Sequence, residues 1–324
     1  MDNDTGIRMT EPITRRNLLK TTGLLAGASL LNTSTHLSGA ESTMNKYKYC
    51  LNTGTIRGQE LGIVKEIQIA AEAGYQAIEP WIRDINKYKN EGGNLSDLKK
   101  LIEDSGMTVD SAIGFAQWIV DDPEKRKAGL EEAKRDMDVL KQIGGTRIAA
   151  PPAGATKIHY KDLVTIGQRY RKLLELGVEM GVIPQVEVWG FSKTMSQLAE
   201  TVFVAISSGH PQACILPDVY HLYKGGSDFA SLNILNGQVI HVFHLNDYPS
   251  SIPINKINDA DRVYPGDGDA PWKQILVILD SNNFEGTFSL ELFNREYWKQ
   301  DALQVAKTGL HKMKSVVANV LGNA

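Results

Sequence analysis

The chain has 324 residues, 42% of them hydrophobic and 23% charged, which is enough apolar material for a full buried core and matches an ordinary globular protein. Its net charge of -3 and the lack of a Lys/Arg stripe interleaved with aromatic residues argue against a nucleic-acid partner and leave a small molecule as the expected one. Only two cysteines occur, Cys50 and Cys214. Both fall in predicted strands that are not neighbours, so they read as small core residues rather than a disulfide.

The first forty residues stand apart from the rest. Thr14-Arg15-Arg16-Asn17-Leu18-Leu19-Lys20 precedes an apolar stretch from Thr22 to Leu31 and small residues at Ser38 and Ala40. This resembles a twin-arginine signal, which implies passage through the twin-arginine export machinery, already folded, to the periplasm. The apolar run is shorter than the ~20 residues of a spanning helix, so cleavage after Ala40 is expected rather than retention as an anchor. On this reading residues 1–40 are the signal, residues 41–324 the mature domain, and the mature N-terminus begins near Glu41.

From there strand and helix signals alternate. Tyr47 to Asn52 reads as a first strand, and Ile63 to Ala73 as an amphipathic helix closed by Gly74. Tyr75 to Glu79 is the second strand. Arg83 to Asn94 reads as an extended loop, followed by a helix to Asp104 with Ser96 as its N-cap. Met107 to Ile113 is the third strand, Pro123 to Ile143 a long helix and Thr146 to Ala150 the fourth strand. A helix over Tyr160 to Met180, a fifth strand at Ile183 to Val188 and a helix over Thr194 to Ser207 come next. The sixth strand, Ala213 to Leu216, precedes a short helix at Phe229 to Leu235 and the seventh strand at Val239 to Leu245. After a Pro-, Gly- and Asp-rich loop from Tyr248 to Asp269, a helix over Ala270 to Asp280, an eighth strand at Thr287 to Leu292 and a helix over Asp301 to Val317 complete the series.

Eight such pairs give the count of a single (β/α)8 TIM barrel. An open doubly wound sheet is the alternative, but no Gly-x-Gly-x-x-Gly turn follows an early strand. In the barrel, active sites form at the C-terminal ends of the strands. Four consecutive strands carry a candidate metal ligand there: Glu187 in QVEVWG, Asp218 in LPDVYH, His244 in HVFHLNDY and Glu291 in TFSLELF. Taken singly, a strand-end carboxylate is usually a solvated rim charge. Together, three carboxylates and an imidazole suit one divalent metal ion, Mn, Mg, Co or Zn, rather than a thiolate-bound metal. Period-2 parity places Glu187 with Gln185, Asp218 with Leu216, His244 with Val242 and Glu291 with Ser289, each pair on one face of its strand. Glu79 and Trp81 end the second strand at the same mouth, where they offer a polar contact and a stacking wall for a sugar.

In this order and on these strands, the Glu, Asp-x-x-His, His-Leu-x-Asp and Glu series resembles the xylose isomerase-like sugar isomerase/epimerase superfamily over essentially the whole chain after the signal. The resemblance implies that Glu187, Asp218, His244 and Glu291 hold the metal and that His221 and Arg262 contact substrate oxygens. It further implies an enediolate mechanism. With a carbonyl and its neighbouring hydroxyl held by a divalent cation, the intervening C–H becomes acidic. One carboxylate then removes that proton and an acid returns it, the tasks expected of Glu187 and Glu291. Return to the same carbon from the other face gives epimerisation, return to the adjacent carbon gives aldose–ketose isomerisation, and loss of a β-hydroxyl makes the enzyme a dehydratase or lyase.

Two departures bear on the substrate. Members specialised for ketose 3-epimerisation carry a further glutamate after the first metal ligand, where this chain has Gly190-Phe191-Ser192-Lys193. Many relatives read His-x-Lys-Asp on the seventh strand, and Asn246 replaces that lysine here, which favours a neutral sugar or keto-sugar. A phosphodiesterase of the endonuclease type would need more ligands on the early strands, which supply Glu79 alone. A secreted sugar-binding barrel that has lost catalysis is the reading from a different class. The sequence leaves homo-oligomerisation open.

Overall fold

The computed structural model describes residues 46–322. The signal expected over residues 1–40 lies outside the described residues. Strand β1 (Lys48–Asn52) passes through a 3-10 turn at Thr53–Gln59 into helix α1 (Ile63–Ala73), which Gly74 closes in the left-handed conformation (φ 93°), as its position predicted. Strand β2 (Ala77–Glu79), helix α2 (Ile82–Asn90) and helix α3 (Leu95–Asp104) follow. Next come β3 (Thr108–Val109), α4 (Pro123–Gln142), β4 (Arg147–Ala150) and α5 (Leu163–Met180). Strand β5 (Ile183–Glu187), α6 (Leu198–Ser207), β6 (Ile215–Leu216) and a short α7 (Val219–Lys224) lead to β7 (Val242–Leu245). Helix α8 (Trp272–Ser281), β8 (Thr287–Leu290) and α9 (Ala302–Leu321) complete the described chain.

The strands form two parallel sheets, β3-β2-β1-β8-β7 and β4-β5-β6. Both seams between them are bonded. Ala149 N donates to Ala112 O (2.9 Å) on one side, and on the other His244 N donates to Pro217 O (3.0 Å) beside parallel bridges of Ile215 with Ile240 and Asp218 with His244. The result is the closed (β/α)8 barrel. Its register sets Asn52 beside Glu79 and both Cys50 and His244 beside Ser289. Leu216 and Val242 pack inside the barrel with Trp81, Ile113 and Ala149. Leu51, Phe243, Phe288 and Leu290, of the opposite parity, belong to the larger core that takes in the helices. The face carrying Glu187, Asp218, His244 and Glu291 is therefore the inward one. Cys50 and Cys214 are buried and free.

The helical content differs from expectation at definite places. Most of the loop expected at Arg83 to Asn94 is α2, because Ile82 and Ile85, three residues apart, bury one edge of an otherwise charged turn. The N-cap of α3 is Asn94, not Ser96: Asn94 Oδ1 accepts from Ser96 N at 2.9 Å. Helix α5 starts later than expected, at the Asp162 cap, and α6 starts after a capping box of Gln197 and Glu200. The expected helix near Phe229 is a 3-10 turn at Phe229–Ile234.

The Tyr248–Asp269 loop is held by Asp247, which is fully buried and accepts from Tyr248 N, Gly266 N, Ala270 N and Trp272 Nε1 at 2.8–2.9 Å. That anchor fixes the segment from which Arg262 reaches back into the barrel.

Asp136 on α4 is 7% exposed, and burial, with Glu132 adding to it, pushes its carboxyl up to about 7. The native state then binds a proton that the unfolded chain releases near pH 4. Asp136 therefore lowers stability progressively as pH rises from about 4 to about 7, with no further change above. Asp136→Asn is expected to match the wild type at pH 4 and to exceed it by about 1–2 kcal/mol at pH 8, less than the full equivalent of the raised pKa because solvent still screens the group. Urea unfolding at the two pH values checks this, and equal stability at pH 8 refutes it.

Candidate active site

Of the strand-end residues expected at the site, Glu187, Asp218, His244, Glu291 and Trp81 lie at the C-terminal end of the barrel as expected, whereas Glu79 is buried behind His244. Asp218, just past the end of β6, turns its two oxygens to different partners. Oδ1 caps α7 by accepting from His221 N at 2.7 Å, and Oδ2 turns toward His244 and accepts from Asn246 Nδ2 at 2.7 Å. His244 Nδ1 lies 3.6 Å from Asp218 Oδ2 and 3.3 Å from Glu291 Oε2, fully buried and without a hydrogen-bond partner. On the far side of the ring, His244 Nε2 meets Glu79 Oε2 at 3.0 Å. Glu79 Oε2 also accepts from Ser289 Oγ at 2.7 Å and Asn52 Nδ2 at 2.9 Å, and Asn52 Nδ2 reaches Glu291 Oε1 at 3.1 Å.

One ligand atom each from Asp218, His244 and Glu291 lies within 4.8 Å of the other two. A buried imidazole nitrogen with nothing to bond, aimed at two carboxylate oxygens, fits a divalent cation of intermediate or hard character. Glu79 on the opposite ring nitrogen is the carboxylate that commonly orients a metal-binding histidine. Glu187 is not one of the trio. It faces the same cavity from β5, where burial, with Glu291 and Asp218 adding to it against His244, pushes its carboxyl up to about 8.

Arg262 is 1% exposed and balances the charge of this region. Its Nη1 donates to Asp218 Oδ2 (3.1 Å) and Glu291 Oε2 (2.9 Å), and its Nη2 to Asp259 Oδ1 (2.6 Å) and His221 Nε2 (3.1 Å). Burial alone would raise the Asp218 carboxyl, yet Arg262, His221 and His244 together hold it below the ordinary range. Glu291 is depressed too, since His244 and Arg262 outweigh its burial. Burial lowers His221, and Arg262 beside it adds to the effect. His244 goes the other way, raised by Glu79 and Glu291 against its own desolvation.

His221, Arg262, Glu187, Glu291 and Trp81 line one cavity of about 430 Å³. Glu79 does not reach it. Its carboxylate is fully buried behind His244, so its partners are His244, Asn52 and Ser289 rather than the open mouth. Asn52 and Asp259 were not singled out by the sequence, Ser289 was noted only as sharing a strand face with Glu291, and Asn246 only as standing in place of a lysine. Asn and Ser near a strand end look like turn residues, and only the barrel's register brings Asn52 to Glu79. Gly190 has a physical reason. A Cβ there would sit 2.3 Å from His221 O and 2.6 Å from Gly225 N, so no glutamate side chain fits that position while α7 packs against it.

These observations meet the comparisons with known proteins. The chain belongs to the xylose isomerase-like TIM barrel family, whose profile matches residues 67–316. An inosose isomerase of Bacillus velezensis is 23% identical over 276 residues, 84% of this chain and 97% of its own length. A 3-dehydroshikimate dehydratase of Pseudomonas putida is 19% identical over 256 residues, 77% of this chain and 39% of its own length. Among solved structures, the IOLI protein with a binding zinc atom superposes with a TM-score of 0.77 at 21% identity, covering 84% of this chain and 99% of that one. No helix of the described residues is long and apolar enough to cross a membrane.

Proposed function

We propose that the protein is a divalent-metal-dependent isomerase or epimerase of a sugar or keto-sugar. The observation that carries the reading is the Nδ1 of His244, without a hydrogen bond, facing Asp218 and Glu291, with a third carboxylate, Glu187, lining one cavity together with Glu291 from a strand on another side. His244, Asp218 and Glu291, with Glu187 as the fourth donor, would hold the ion. When bound it supplies Lewis acidity to a carbonyl and the hydroxyl beside it.

The chain's own groups account for the proton. Glu187 and Glu291 end strands β5 and β8, separated by β6 and β7, so their carboxylates approach a bound sugar from different directions. Their surroundings push them apart as acid and base: burial favours a proton on Glu187, while His244 and Arg262 favour the ionised Glu291. One takes a proton from carbon and the other returns it. Arg262 and His221, hydrogen-bonded to each other at the cavity wall, orient substrate oxygens. Residues 1–40 support export as part of the same proposal.

Incubating the metal-loaded protein with a panel of aldoses, ketoses and inososes in heavy water tests the reading. Deuterium at a carbon next to the carbonyl, seen by NMR, is the expected result, and no exchange with any of them refutes it. The similarity to a dehydratase favours a second reading, in which the same proton removal ends in loss of water. Mass spectrometry of the product, unchanged in mass or lighter by water, separates the two.

A further inference from the structure

Beyond the carboxylate end, the cavity is walled by rings. Phe293, Trp81, Phe115, Trp189 and Phe191 come from the loops after β8, β2, β3 and β5, and each touches the next: ring centroids are 6.0 Å apart for Phe293 and Trp81, 5.2 Å for Trp81 and Phe115, 6.0 Å for Phe115 and Trp189, and 5.1 Å for Trp189 and Phe191. Phe191 continues the arc to His221 at 5.6 Å. Arg57, half-buried, closes it toward Trp298, its guanidinium 4.8 Å from the Trp81 ring, 5.0 Å from Phe293 and 5.2 Å from Trp298. The backbone is shaped for this: a Cβ on Gly58 would lie 2.2 Å from the Trp298 ring, so only glycine lets that indole lie across the turn after β1.

A sugar chelated at the carboxylate end needs a single stacking face, and Trp81 supplies one. The remaining rings have no comparable use for a free sugar, and 38% of Phe115 and 45% of Phe191 stay exposed at the mouth. The cavity volume of about 430 Å³ falls in the range of small-molecule sites and leaves room beside a sugar ring for a further group. An exposed aromatic surface that continues a catalytic cavity marks a ligand groove.

We propose that the belt is a second subsite, and that the substrate is a keto-sugar, its carbonyl on a ring carbon other than the anomeric one, joined through the anomeric carbon to a planar apolar group; simple aryl glycosides are its unreactive binding analogues. The sugar sits among Glu187, His221, Arg262 and Glu291, and the aryl group lies against Phe115, Trp189 and Phe191. This rests on the isomerase reading for the position of the sugar alone. Offset or edge contacts between an aryl group and these rings are worth about tenfold in affinity.

Isothermal titration of the metal-loaded protein with phenyl and methyl β-glycosides of glucose, galactose and xylose tests it. The phenyl compound of at least one pair is expected to bind about tenfold more tightly than its methyl partner. Phe115→Ala and Phe191→Ala are expected to reduce that preference to about twofold, and Phe115→Tyr to keep it. Equal affinities within every pair, or no binding of any phenyl glycoside up to the millimolar range, overturns the subsite. A phenyl preference without deuterium exchange in any free sugar or aryl keto-glycoside would uphold the subsite and defeat the isomerase reading. Exchange with free sugars and no phenyl preference would do the reverse.

Discussion

Glu187→Gln is expected to lower the rate of solvent deuterium exchange into substrate by about 10²–10⁴-fold, the usual contribution of one positioned acid–base group. The substitution preserves shape and a carbonyl oxygen but removes the proton that burial favours on this carboxyl. The amide keeps a carbonyl oxygen as the fourth donor, and Asp218, His244 and Glu291 are untouched, so metal bound per chain should stay near the wild-type value by mass spectrometry. That split separates a proton carrier from a ligand that merely holds the ion. Exchange within tenfold of wild type would remove Glu187 from the chemistry. Loss of metal together with exchange would make it chiefly a ligand.

What the sequence revealed was the part encoded in strand periodicity. Gln185 with Glu187, and Ser289 with Glu291, share a parity, and that parity is the inward one because Leu216 and Val242 of the same set fill the barrel. A strand end can be read from a few residues. The partner of a side chain cannot, because it depends on which strands close on each other. Glu79 looked like a mouth residue and lies behind His244, since β1 and β2 align Asn52 with it and β8 brings Ser289 beneath it. The loop expected at Arg83 to Asn94 became α2 on the strength of two buried isoleucines, too few to stand out among its charges. The aromatic belt was legible only as separate bulky residues. Its rings come from four loops, and the barrel's closure makes them neighbours.

Asn246 links these levels. It stands where the family resemblance leads to the expectation of a lysine, and its Nδ2 holds Asp218 Oδ2 while its Oδ1 accepts from Tyr220 N. It therefore aims an Asp218 oxygen at His244 and steadies the first turn of α7, which carries His221. The cation at the site comes from Arg262 in the following loop, held in place by the buried Asp247 at the loop's root.

That organisation makes His244 the residue with the most to lose. His244→Ala is expected to abolish both metal retention and exchange, with turnover down by at least about 10³-fold, because the trio loses its only nitrogen donor and the Lewis acid goes with it. It also leaves Glu79, Asp218 and Glu291 buried without the imidazole between them, at a cost of about 2–4 kcal/mol in stability that urea unfolding would register. Glu79→Gln distinguishes ligation from packing. The amide can still occupy the pocket beside Asn52 and Ser289 but no longer offers His244 Nε2 a charged acceptor. Metal affinity should then fall by about 10–100-fold while the fold is retained. If Glu79→Gln binds metal as tightly as wild type and His244→Ala still retains about one ion per chain, His244 is a structural histidine held between acids, and the ion, if any, is bound elsewhere.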